Sequence, residues 1–108
     1  MPARTLTDLF GASADLTSGT LTINLTDFSG VGLDNANPDP TDIAAALILY
    51  WQSTQATDAD TDPTNGVVVN DEFKSFITRG DSPQIEYQYP VSLYVADTTQ
   101  SLDPDSVV

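Results

Sequence analysis

The stretch Asp39-Pro40-Thr41-Asp42-Ile43-Ala44-Ala45-Ala46-Leu47-Ile48-Leu49-Tyr50-Trp51 decides the fold of this chain. It opens with the punctuation of a helix start. Asp39 suits the N-cap, and Pro40 suits the first helical position, where a missing N–H is harmless. Asp42 stands where the reciprocal acid of a capping box belongs. From Ile43 to Trp51 no charged or amide residue interrupts the run. A helix without a polar face in its middle turns must be buried on nearly all sides, and one small sheet covers only one side. The helix is therefore expected either at the centre of the core or partly covered by another protein chain. Leu49, Tyr50 and Trp51 are the candidate contact residues at its end.

Working outward, two segments read as strands. Thr20 to Phe28 sets Leu21, Ile23 and Leu25 against Thr22, Asn24 and Thr26, the period of two of a half-buried strand. Gln84 to Val95 alternates more strongly. Ile85, Tyr87, Tyr89, Val91, Leu93 and Val95 fall on one face, long enough to cover a stretch of core. Pro90 has no N–H to donate, so this strand is expected at an edge or with a bulge. A long edge is a pairing hazard unless covered, which makes Pro90 and Tyr94 further interface candidates.

The remaining segments carry weaker signals. Thr5 to Phe10 has slight strand character, and Val67-Val68-Val69 is too short to type. In Asn70 to Arg79 both alternating faces contain a phenylalanine, while Phe73, Phe76 and Ile77 have helical spacing, so a short helix or turn ending at Gly80 is expected. Arg79-Gly80-Asp81 spells a tripeptide found in integrin ligands, but Arg79-Gly80-Asp81-Ser82-Pro83 reads as an ordinary turn. The expected architecture is α+β: a small antiparallel β-sheet with one apolar α-helix, about 40–54, packed on it. A length of 108 residues fits a single domain over 1–108, with an acidic loop at 55–66 and a polar C-terminal tail at 97–108.

Composition narrows the chemistry. The chain has 3 basic and 16 acidic residues and a formal net charge of -13, with no histidine and no cysteine. That removes Ser-His-Asp and Cys-His nucleophilic sites, disulfides, and ordinary zinc, haem or iron–sulfur centres. Sixteen acids offer no means of choosing a catalytic pair, so an enzyme is disfavoured. Three cations cannot neutralise a row of phosphates, which argues against direct nucleic-acid binding. Fourteen of the acids are aspartates, which favour caps and turns, so the charge is expected in loops. No apolar run approaches the ~20 residues of a membrane span, and the first residues lack a signal-peptide pattern. A soluble chain made in the cytoplasm, or carried in a virion, is the expectation.

The one metal-like pattern is Asp58-x-Asp60-x-Asp62, followed by Asn65 and Asp71. Alternating carboxylates on a flexible loop suit calcium, but a loop of EF-hand spacing needs glycine where Asn65 stands and glutamate where Asp71 stands. Three functions are therefore carried forward, with no cofactor required except calcium in the second. First is a non-enzymatic structural or assembly component of a multi-copy particle, such as a phage virion, tail or neck, with a protein partner or self-assembly. Second is a calcium-dependent binding module using the Asp-rich loop. Third is an acidic inhibitor that mimics DNA.

Overall fold

The computed structural model describes residues 4–97 and 101–108. The fold is α+β. Helix α1 spans Leu6–Phe10, and a first hairpin joins β1, Asp15–Thr17, to β2, Thr20–Thr22. A 3₁₀ helix over Leu25–Val31 leads to α2, Pro40–Thr54. Strands β3 (Val67–Val69), β4 (Phe73–Arg79), β5 (Ser82–Gln88) and β6 (Val91–Leu93) follow, then a 3₁₀ turn at Pro104–Ser106. The strands form three separate antiparallel pairs among the described residues: β1 with β2, β3 with β6, and β4 with β5.

Helix α2 lies where the sequence places it, and Asp39 N–H donates to the Asp42 carboxylate at 3.0 Å. It is the hub of the body, packing on α1, on the first 3₁₀ helix and on β3. The core around it is small: Phe28, Leu33 and Ala46, with Ile23, Leu25, Val31, Leu47 and Tyr50 partly buried against them. Phe28 is fully enclosed and meets Tyr50 edge-on at 4.8 Å. Burial of such a side chain contributes roughly 3 kcal/mol. The helix itself is not enclosed on all sides. Ala46 is its one fully buried residue, and Ile43 and Leu47 through Trp51 are half-buried.

Four local expectations are corrected. Thr5 to Phe10 is helical, because Thr5 and Asp8 form a reciprocal capping box. The strand at Thr20 ends at Thr22, and Asn24 turns the chain. Its carboxamide oxygen accepts from the Thr26 N–H at 3.1 Å and hydroxyl at 2.7 Å, and the following 3₁₀ turns carry Phe28 into the core. The segment from Phe73 is a strand and not a helix or turn. The long strand of 84–95 is divided at Tyr89-Pro90: β5 pairs with β4, whereas β6 pairs with β3. Its apolar residues do not form one core-facing row, since Ile85, Tyr87, Val91 and Leu93 are all exposed.

β4 and β5 form a seven-pair hairpin closed by Gly80-Asp81. Both turn residues have positive φ, 52° and 65°, as a tight type I′ turn requires. Neither strand packs extensively on another described element. The hairpin projects as an arm, which explains why its pattern misleads: with no core on either side, nothing selects one face for apolar residues. The radius of gyration is 15.9 Å, against about 13 Å for a compact chain of this length.

Candidate functional site

The arm has two unlike faces. Directly opposed residues share a face, so Lys74 and Tyr87, Phe76 and Ile85, and Thr78 and Pro83 line one side. On that side Phe76 is 81% exposed, Tyr87 52% and Ile85 45%. The Lys74 ammonium lies 5.8 Å from the Phe76 ring centre and 5.7 Å from that of Tyr87, within range of a cation–π contact with each. The other side is more polar. Phe73 and Ile77 alternate there with Ser75 and Arg79, opposite Gln88, Glu86, Gln84 and Ser82, and the Ser75 hydroxyl donates to Glu86 at 3.3 Å.

At its base the apolar face runs into a groove of about 410 Å³ lined by Ala45, Ile48 and Leu49 of α2 with Tyr87 and Tyr89. Helix α2 thus turns its half-buried side towards the root of the arm. Burial raises the Tyr89 phenol above its usual pKa, helped by the neighbouring negative charge of Glu72. The residues that line the groove are apolar or aromatic, with the two tyrosines as its polar groups.

The interface residues expected from sequence are distributed around the body. Leu49 lines the groove. Tyr50 and Trp51 are engaged inside the fold: the Tyr50 hydroxyl donates to Thr7 O at 3.1 Å, and the Trp51 indole N–H donates to Leu9 O at 2.7 Å. Burial raises the Tyr50 phenol, with Asp27 and Asp8 adding to the shift. Pro90 is half-buried, and its carbonyl accepts from Asn70 N–H at 3.0 Å. Tyr94 is partly exposed, with its N–H on Gly66 O and its carbonyl accepting from Val108 N–H, both at 2.9 Å.

The loop aspartates do not converge. Among the described residues no group of three or more acids is arranged to hold a metal ion. Asp58 and Asp60 are exposed, and Asp71 lies exposed near the root of the arm. Asn65 is buried, and its side-chain oxygen accepts from Val67 N–H at 3.4 Å. Asp62 acts within the loop's own turn. It accepts from the Thr64 N–H at 2.9 Å and hydroxyl at 2.7 Å, and these bonds lower its pKa below the usual value.

The arm residues Phe73, Phe76, Ile85 and Tyr87 escape the sequence reading as a site. Their signal is present: two apolar segments flank a turn, with phenylalanine on both faces of one of them. Compared with known protein families, curated proteins and solved structures, the chain matches none of them. Among the described residues, no helix is long and apolar enough to cross a membrane.

Proposed function

We propose that this protein is a non-enzymatic structural component of a multi-copy protein assembly, of the kind found in a phage virion, tail or neck. The observation that carries the reading is the arm, a two-stranded projection on which Phe73, Phe76, Ile85 and Tyr87 remain largely exposed. An isolated hairpin in water is marginal at best. Ordered aromatic and aliphatic residues on such a projection are the pattern of a docking element. The absence of histidine and cysteine removes Ser-His-Asp and Cys-His nucleophilic sites.

The test is the mass of the native species. In an extract of the native source, the chain should elute far above its own 11.5 kDa. Elution as a free monomer at every stage of growth overturns the proposal.

A further inference from the structure

We infer that the arm's occupant is a second copy of this chain: the apolar face of one arm seats in the α2 groove of a neighbouring copy. The inference rests on the assembly reading above and names its partner. Three observations support it.

The first is area. The accessible surface is 7439 Å², whereas a compact monomer of this mass exposes about 5,800 Å². The excess is about 1,600 Å², and a standard interface takes about 800 Å² from each partner. The chain is thus more open than a compact monomer by an area of interface size, and the exposed strands of the arm contribute to that excess. Arm and groove are different surfaces, so the contact is heterologous and propagates into a ring or a chain of copies.

The second is charge. Within Phe73–Gln88, Lys74 and Arg79 are balanced by Asp81 and Glu86, so the arm is neutral and the net charge of -13 belongs to the rest of the chain. The third cation, Arg4, is partly buried and hydrogen-bonded, which leaves Lys74 and Arg79 as the exposed basic side chains. Two bodies repel one another, while an arm approaches a body without repulsion and brings both cations to it. Lys74 lies on the apolar face, so one of the two cations accompanies that face into the contact. Phe76 stands three residues along β4 from Phe73, about 10 Å from the root, a little more than the about 8 Å screening length at physiological salt. An arm seated by Phe76 therefore holds the neighbouring bodies about one screening length apart, where their repulsion is weakened.

The third is fit. Phe76 and Ile85 form an apolar knob, and a groove of about 410 Å³ with an apolar floor is present on the same molecule. The arm does not fold back to fill it, since Phe76 remains 81% exposed. Tyr87 belongs both to the arm face and to the groove wall, so an incoming arm meets one continuous apolar strip.

The chain lacks cysteine, so introduced thiols report without background. Purified full-length Thr78→Cys and Ala45→Cys proteins are mixed at 0.15 M salt and treated with a short bis-maleimide. Thr78 shares the arm face with Phe76, Ala45 lines the groove, and Asp15→Cys in β1 serves as control acceptor. The 78–45 product should form at least ten-fold faster than 78–15 and exceed 78–78. Adding Phe76→Ser to the donor should remove the preference while leaving its circular dichroism unchanged, because that side chain is exposed. Equal rates for both acceptors, or a dominant 78–78 product, overturns the inference. If that happens while the native chain still elutes at particle mass, only the second copy as occupant is rejected and the assembly reading stands.

Discussion

Arg4 ties together three parts of the body that are distant in sequence. Its guanidinium donates to Val67 O at 3.1 Å, Trp51 O at 2.8 Å and the Thr54 hydroxyl at 2.6 Å, joining the N-terminal segment to β3 and the end of α2. A cation at a helix C-terminus also opposes the negative end of its dipole. Burial lowers the Arg4 pKa, partly offset by Asp8, so the site tolerates the charge because its carbonyls are satisfied there. Arg4→Ala should cost about 3 kcal/mol, read from the urea midpoint, as several charge-assisted bonds are lost together. Arg4→Lys should recover less than half, since a single ammonium cannot span the same fork. Gly66 answers to a different constraint. A Cβ there would overlap Val108 O, so Gly66→Ala should displace the C-terminal residue, break the Val95–Val107 bridge and lower the melting temperature. Asp62 and Tyr50 each make stability depend on pH, at opposite ends of the scale. Asp62 is held below its unfolded value, so its contribution is present at neutral pH and is lost as pH falls below about 4. Tyr50 is raised, so its contribution holds below the unfolded value of about 10 and is lost as pH rises from there through the higher folded value. Asp62→Asn should flatten the acid limb of a melting-temperature profile, and Tyr50→Phe the alkaline limb.

At the scale of elements, legibility follows packing. The helix of 40–54 is visible because Asp39, Pro40 and Asp42 punctuate it and the apolar run has a local cause. Its half-exposed condition is less legible: all-round apolarity says that a cover is needed, and not which cover. The Thr5–Asp8 capping box sits in the sequence with correct spacing, but a helix of five residues leaves too little periodicity to weigh. Thr20–Phe28 misleads because alternation continues past Asn24, whose side chain redirects the backbone. The arm is hidden for a third reason, since period-two reading presumes one buried face and this hairpin has none. Its separateness predicts an outcome. Replacing residues 73–88 by a short glycine–serine link should leave a body that still unfolds cooperatively in urea, while abolishing the higher-mass species. β3 keeps a second source of order in that variant. The Gln55 side chain pairs with Val69 as a strand would, donating to its carbonyl at 2.7 Å and accepting from its N–H at 2.9 Å.

At the scale of the molecule, the net charge of -13 works against compactness and also against indiscriminate association. Raising sodium chloride from about 0.01 to 0.15 M shortens the screening length from about 30 to 8 Å. The larger value exceeds the reach of the arm, so bodies repel even when an arm is docked. Sedimentation should therefore show assembly favoured by salt over that range, the opposite of an interaction driven by ion pairing. For the acidic loop, the scattered carboxylates predict equal increments in melting temperature from calcium, magnesium and sodium at matched ionic strength. A calcium increment exceeding that of magnesium at submillimolar concentration would instead identify Asp58–Asp71 as a cation site.

The arm also separates the two halves of another ladder. β3 and β6 pair through Val67–Leu93, Val68–Ser92 and Val69–Val91, and the hairpin occupies most of the chain between them. If that pairing formed first, the chain would have to close a loop of roughly twenty residues; once the hairpin zips, about five flexible residues remain, which lowers the closure cost by about 1 kcal/mol. Hairpins form in about 1–10 μs, so the order of events favours the projection first and the body's ladder second. Gly80→Val, which opposes the positive φ of the turn, should then slow refolding in a stopped-flow experiment several-fold while changing the unfolding rate little. The segment that reaches outward in the finished protein is, during its birth, a clasp that draws the two ends of the body together.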